Sequence, residues 1–486
     1  VQPIHLEIAV ICLGILMLLI ESFSNGGDRR GIGLLGIGGL LAVLVASCFV
    51  RPDFLPANSP LAPFYSVDAV ALFFKQFSLL STLLVLVLAL DYAPVVERFV
   101  PAASKGAGLG EFYALPVLTC AGLMFLVSAQ DFIFLFVSLE LVTIGFYVLV
   151  AYLRRNSASL EAGVKYLILG ALSTGVIVYG ITWIYGLTGQ TNFALIHAVL
   201  PQMIPVSYSA VLFGLALVLV ALGFKIGAFP FQFWIPDVYQ GAPTPVTAFL
   251  SVASKAAGFV VLYRVVQTFL VPGIAEKLLL VLAVLSGATL LFGNLAALVQ
   301  KNFKRLMAYS SVAHAGYLLM GFASIGVATA EPAIFFYLVG YLIMTFLAFG
   351  VMVLVSGAVG SDEMSSYNGL GRRSPLLALA MLISMLSLAG IPFTVGFFAK
   401  FFIFETAIRA GLYWLVGIGL LSVACGFYYY LKIARAMYWM PPNETPGEGT
   451  LAVSPLTAAM LLGLAVATFV LGVYPEFVLR IFAGSF

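Results

Sequence analysis

The sequence predicts an all-α membrane protein of about fourteen spanning helices, built around two inverted five-helix repeats that each contain one broken helix, with both termini outside. Three observations carry this. The 486 residues are 62% hydrophobic and 9% charged with a mean hydropathy of +1.11, where a soluble chain would carry about a quarter charged residues. Apolar runs of about twenty residues, the length that crosses a bilayer, recur from end to end with no long polar block between them. Two of those runs are overlong and carry a proline near the middle.

Taken in order, the apolar segments predict helices at 6–23, 31–50, 68–90, 112–128, 132–153, 161–187, 206–240, 245–271, 277–299, 304–322, 332–356, 375–408, 411–440 and 452–476. The start, Val1-Gln-Pro-Ile-His-Leu-Glu7, has no Lys or Arg before the first run, so it lacks a signal peptide's basic region and that helix is expected to be retained. Residues 206–236 and 375–408 would each span more than about 40 Å at about 1.5 Å per residue, which exceeds a hydrocarbon core of about 30 Å. Pro230 in one and Gly390-Ile-Pro392 in the other supply the breaks. These prolines lie 162 positions apart, and five-helix units at 111–271 and 276–440 match in spacing. The flanking parts are an N-terminal three-helix segment, 1–110, and a C-terminal helix and tail, 441–486. An odd number of helices per unit inverts the second against the first. Interrupted helices at matching places in inverted repeats point to an ion path at the repeat interface.

The positive-inside rule sets the orientation. Connections after odd-numbered helices hold thirteen basic residues: Arg29, Arg30, Arg98, Lys105, Arg154, Arg155, Lys301, Lys304, Arg305, Arg372, Arg373, Lys432 and Arg435. The opposite side holds four: Arg51, Lys277, Arg409 and Arg480. Both termini are therefore expected outside.

Composition excludes other chemistry. Cys12, Cys48, Cys120 and Cys425 are scattered among apolar residues, and His5, His197 and His314 are too dispersed for a bis-histidine haem, so no metal or cofactor site is expected. No G-x-x-x-x-G-K-[ST] loop is present, and a net charge of +3 on a membrane chain gives no reason to expect nucleic acid.

The residues that remain are ionisable groups stranded in apolar helices, where a charge costs at least about 3 kcal/mol. Glu140 is about nine residues into its helix, some 12 Å deep. Lys225 precedes Pro230 by five residues and is followed by eleven uncharged ones. Lys255 is mid-depth with small neighbours, and Lys400 lies eight residues after Pro392, with Glu405 towards the outer end. Lys165 sits one turn inside its helix, where it can either reach the interface or serve as a relay. His314 has hydroxyl residues one turn away on either side and is a candidate proton relay. Lys75 and Arg264, nearer helix ends, read as structural, and Tyr428-Tyr-Tyr430 as packing. Burial and a neighbouring carboxylate act in opposite directions on a lysine's proton affinity. Switching a Glu140–Lys225 pair could therefore move a proton against roughly 150–200 mV, about 4 kcal/mol at about 2.3 kcal/mol per 100 mV.

At these residues the sequence resembles a known family. Gly223-Phe-Lys225, Trp234-Ile-Pro-Asp-Val-Tyr-Gln-Gly-Ala-Pro-Thr-Pro245, Ser254-Lys255, Asn302-Phe-Lys through His314-Ala-Gly-Tyr317, and Leu388-Ala-Gly-Ile-Pro392 through Lys400 resemble the antiporter-like subunits of respiratory complex I (NDH-1), nearest the N type, mitochondrial subunit 2. The resemblance implies a fourteen-helix proton-translocating subunit. In it Glu140 and Lys225 match the carboxylate–lysine pair, Lys255 the connecting residue and Lys400 the lysine that exchanges protons with the outer side. It also implies quinone, FMN and iron–sulfur clusters on partner subunits, an M-type antiporter-like neighbour, small membrane subunits and a hydrophilic redox arm. The location implied is an energy-transducing membrane: bacterial inner, mitochondrial inner or thylakoid. Gln232 departs from the pattern, since many relatives have His there. The chain stops soon after its fourteenth predicted helix without the long lateral helix of the L type, which favours N. A subunit of an Mrp-type sodium/proton antiporter, or a scaffold whose buried charges only fix helix register, are the rival readings.

Overall fold

A computed structural model describes residues 3–24, 29–51, 59–100, 108–442 and 451–483. Lys105, one of the thirteen basic residues counted above, lies outside them. Among the described residues there is no β-strand, only isolated bridges. Apart from two four-residue turns at Met364–Tyr367 and Leu370–Arg373, the helices are α1 (Ile4–Phe23), α2 (Arg30–Ser47), α3 (Ala69–Phe99), α4 (Leu109–Val127), α5 (Phe132–Val150), α6 (Ser157–Thr188), α7 (Phe193–Ile226), α8 (Trp234–Gly241), α9 (Thr244–Phe269), α10 (Ala275–Leu298), α11 (Phe303–Ala323), α12 (Ala330–Val359), α13 (Pro375–Ala389), α14 (Val395–Arg409), α15 (Tyr413–Trp439), α16 (Pro455–Val473) and α17 (Glu476–Ala483). Twelve stretches among them are long and apolar enough to cross a membrane.

Their starts follow local chemistry. Asp68, Asp131, Asn156, Asn192, Asn302 and Ser454 each accept a backbone N–H of the first turn, satisfying donors that have no intrahelical partner. The packing is that of a protein turned towards lipid. On α5, Ile133, Val137, Leu141, Ile144 and Val148 are exposed, a stripe that water would not tolerate. By contrast 94% of the best membrane-length window of α9 and 89% of that of α12 are buried, against 33% for α1 and 28% for α6, which puts α9 and α12 at the centre.

The expected breaks are present, with different surroundings. The sequence places one helix over 206–240. Instead α7 begins at Phe193, kinks at Ser207, where φ/ψ is non-helical, and stops at Ile226; α8 then resumes at Trp234. The stop is made by Gly227, whose φ of +77° is a left-handed cap that residues with a Cβ rarely adopt, and Ala228 N–H donates to the Gly223 carbonyl at 2.8 Å. Gly390, at φ +92°, ends α13 likewise, and α14 starts at Val395. The eighth predicted helix is also interrupted, by a π-helical turn at Leu250–Ser254 immediately before Lys255. Nothing in the residue pattern announces it.

Two internal features match. Phe132 N–H meets the Thr191 carbonyl at 3.0 Å and Phe193 N–H the Gln130 carbonyl at 3.0 Å. Shifting each of these four numbers by 171 gives Phe303 N–H on the Asp362 carbonyl at 2.8 Å and Met364 N–H on the Lys301 carbonyl at 3.0 Å. The two bridges lie at opposite ends of the bundle. One joins connections that also contact Phe64 through Gln130 N–H; the other joins the end where Arg305 pairs with Asp237 at 2.7 Å. These are called below the Asp68 end and the Asp237 end. At the first, Arg264 grips Asp68 at 2.9 and 3.1 Å and the Val127 carbonyl at 3.0 Å. Burial would raise the Asp68 carboxyl, but Arg264 outweighs it and holds it below the usual range. Lys75, exposed by only 1%, pairs with Glu7 at 2.9 Å beside Tyr65, so its role is a closed ion pair within the N-terminal helices.

A row of polar groups between two broken helices

The site begins on α5. Glu140 accepts from Thr174 Oγ1 of α6 at 2.7 Å, and one turn on, Thr143 Oγ1 accepts from Lys225 Nζ at 2.7 Å. Positions three apart share a helix face, so Glu140 and Lys225 address the same surface. They make no direct ion pair within 4.0 Å; each is held by a threonine hydroxyl, Thr174 for Glu140 and Thr143 for Lys225. A hydroxyl stands where the sequence suggested direct contact. Lys225 lies in the last turn of α7, where the helix dipole favours a cation.

Lys255 stands just across from it. A Cβ built on Gly227 would be 4.0 Å from Lys255 Nζ, and one built on Gly258, a turn beyond Lys255, would be 3.9 Å from Lys225 Cβ. A cavity of about 20 Å3, lined in part by Thr143, Lys225, Ser254 and Gly258, lies against the Lys225 turn. That is room for about one water. Lys255 Nζ donates to the Ser311 carbonyl at 2.7 Å and to Ser311 Oγ, which also meets the Tyr239 hydroxyl at 3.2 Å. With Lys255 only 2% exposed, these contacts are what hold the ammonium in place.

From Ser311 the row continues one turn along α11 to His314. Its Nδ1 is 2.7 Å from the Tyr337 hydroxyl of α12 and its Nε2 is 3.1 Å from the Tyr430 hydroxyl of α15. Tyr430 also bonds Ser310 Oγ, and Tyr429 donates to Asn294 Oδ1 at 3.1 Å. Both ring nitrogens of His314 thus meet hydroxyls from other helices, and the tyrosine run read as packing supplies one of them. Beyond it, the Tyr317 ring bridges to Lys400, whose Nζ stands 5.3 Å from the ring centroid. Lys400 donates to the Leu388 and Ala389 carbonyls at 2.8 and 2.9 Å. Those are the carbonyls that the break after α13 leaves without helical partners, so the helix end and the lysine satisfy each other. Pro392 and Pro230 act here through the gaps they sit in: 390–394 and 227–233.

Lys165, a predicted relay, stands apart, and so does Gln232, the departure from the family pattern. Lys165 is 41% exposed and pairs with Glu161 and Asp237, both at 2.7 Å, so it belongs to an ion network at the Asp237 end with Arg305. Gln232, in the first gap, is fully buried, and neither its Nε2 nor its Oε1 has a hydrogen-bond partner among the described residues.

A long apolar bundle with two broken helices, and between them a row of lysines, hydroxyls and one histidine, is a polytopic membrane protein that carries ionisable groups in its interior. The comparisons agree. Residues 129–426 match the family described as "NADH:quinone oxidoreductase/Mrp antiporter, TM", and the chain belongs to that family. It is 39% identical to NADH-quinone oxidoreductase subunit N of Heliobacterium modesticaldum, over 96% of this chain and 95% of that protein. A chain of respiratory complex I from Thermus thermophilus superposes with a TM-score of 0.80 at 32% identity, covering 98% of each. A chain of the Mrp complex from Dietzia sp. superposes with a TM-score of 0.81 at 22% identity, covering 98% and 95%, which is a likeness of fold.

Proposed function

We propose that the chain is the N-type, non-redox subunit of a complex I or NDH-1 assembly in a bacterial inner membrane, and that it translocates protons along the row from Glu140 to Lys400 when quinone is reduced in partner subunits. The observation that carries this is the run of contacts itself, half-buried at Glu140 and Lys225 and buried from Lys255 onward: Glu140 and Thr143, Lys225, Lys255 on Ser311, His314 between Tyr337 and Tyr430, then Lys400. Subunit N relatives at 39% identity over nearly the whole chain favour this reading over the Mrp-type one, whose structural likeness stands at 22%. Its neighbours would be an M-type subunit and small membrane subunits, with flavin, iron–sulfur clusters and quinone on other chains.

The chain crosses fourteen times, counting α11 and the broken pair α13–α14 beside the twelve long apolar stretches, and both termini lie outside. Support for two inverted repeats, 111–271 and 276–440, comes from the backbone bridges that repeat at a shift of 171 on opposite ends of the bundle. Each ammonium along the row is held by oxygen acceptors that can equally accept from water or hydroxyl, so a proton can leave a lysine without stranding its partner. Lys225, held by Thr143 one turn along α5 from Glu140, receives or releases a proton as Glu140 gains or loses charge. Lys255 and His314 exchange it through Ser311 and the tyrosine hydroxyls, and Lys400 delivers it at the second break. Lys165 acts at the surface.

The test is a pair of variants in the intact assembly, Lys225→Leu and Glu140→Gln, reconstituted in vesicles. Both are expected to assemble and to lose proton uptake coupled to quinone reduction. Assembly with full proton uptake would assign the row to scaffolding.

A further inference from the structure

Between α7 and α10 a groove of about 350 Å3 opens on the outer surface of the bundle, within the size range of ligand sites. Leu212 and Leu219 of α7 face Val281 and Leu285 of α10 across it, Phe231 from the first helix break closes its floor, and Lys277 stands at its mouth. From Lys277 to Leu285 is eight residues of helix, about 12 Å.

Its lining is polar at one end only. The Lys277 ammonium lies 4.7 Å from the Tyr208 ring centroid, and that ring is fixed by the Tyr208 hydroxyl on the Gly273 carbonyl at 3.0 Å. Among the described residues no carboxylate comes within 4.0 Å of this ammonium, the adjacent Glu276 included. A neighbouring apolar helix seated here would take an unpaired cation out of water, which costs several kcal/mol. An occupant with an anionic head and a hydrocarbon body leaves neither end unmatched.

We propose that the groove holds one acyl chain of a phospholipid from the leaflet at the Lys277 end, with the lipid phosphodiester on the Lys277 ammonium and the chain end on Phe231. The consequence reaches the proton path. Phe231 lies against Gly223, where an added Cβ would come within 2.8 Å of the ring, and the Gly223 carbonyl closes the turn that carries Lys225. The seated chain therefore backs the wall of the first break. This inference rests on the chain spanning a bilayer and is independent of proton transport.

The experiment is native mass spectrometry of the intact assembly released from nanodiscs of phosphatidylglycerol of a single mass, for wild type, Lys277→Gln, Ala216→Trp and Val281→Trp. Ala216 and Val281 are exposed, so a larger ring fills the groove without entering the core. Each Trp variant is expected to retain one phospholipid fewer than wild type, and Lys277→Gln to release that lipid at least tenfold more readily. Val281→Cys is expected to react with a lipid-soluble maleimide after delipidation and to be protected when phosphatidylglycerol is returned. Equal lipid counts in all variants, or an unchanged release from Lys277→Gln, would overturn the assignment. Protection of Val281→Cys in the delipidated assembly would show that a neighbouring subunit covers the groove, and would overturn it too.

Discussion

Ser311→Ala removes one hydroxyl and tests the middle of the row. In the native chain Ser311 offers Lys255 two acceptors, its carbonyl at 2.7 Å and its Oγ, and the same Oγ meets Tyr239. The substitution leaves the carbonyl and deletes the rest. A hydrogen bond to a charged group is worth about 1.5–3 kcal/mol, and about 1.4 kcal/mol is a factor of ten, so transfer between Lys255 and His314 should slow by roughly 10- to 100-fold. Alanine is smaller and a good helix former, and Ser311 is 1% exposed in the interior of α11, so assembly should be preserved. The assay is light-driven or chemical initiation of quinone reduction in proteoliposomes, with an internal pH dye reporting protons per quinone. Ser311→Thr, which restores a hydroxyl, should recover part of the rate. Wild-type proton uptake in Ser311→Ala would refute the claim that this serine joins the two halves.

Tyr430→Phe deletes the hydroxyl between His314 Nε2 and Ser310, and should lower proton uptake by roughly 2- to 10-fold, the equivalent of one neutral hydrogen bond of about 0.5–1.5 kcal/mol, while Tyr428→Phe, on an exposed ring, should leave it unchanged. Gly390→Ala places a Cβ 3.2 Å from Lys400 Cδ at φ +92°, a backbone cost of about 1–2 kcal/mol, and should reduce both the thermal stability of the subunit and its pumping; unchanged values in both would contradict the clamp at the second break. Gln232→Met removes a buried amide without hydrogen-bond partners among the described residues, so stability should be unchanged or higher by about 1–3 kcal/mol in a denaturation series, and a fall in stability would show that the amide is satisfied. Lys165→Gln breaks only surface pairs worth about 0–1 kcal/mol each, and should change pumping less than about threefold.

How much of this was legible in the residues follows from what each feature depends on. Apolar runs and the cost of stranded charges are local, so the long helices, both breaks and Lys225, Lys255, His314 and Lys400 could be read directly. The start of α7 at Phe193 was hidden because Pro201 and Pro205 look like a connection, whereas Asn192 caps a first segment and the bend falls at Ser207. The π-helical turn before Lys255 has no residue signature, because it arises from packing at the centre of the bundle. Thr143, Thr174, Tyr337 and Tyr430 were out of reach for another reason. Hydroxyl residues are common in membrane helices, and only the tertiary arrangement selects those that face a lysine or a histidine. One signal was available: Ser311 and His314 share a helix face with Tyr317, at spacings of three.

The central claim is that protons cross this chain through Lys255, which stands beside the first break and touches α11 through Ser311. Protons moved per quinone reduced, measured on the intact assembly carrying Lys255→Met in sealed vesicles, tests it most directly. A lower ratio, or proton movement and quinone reduction arrested together in a fully assembled enzyme, is the expected result. A wild-type ratio at a wild-type rate would contradict the account.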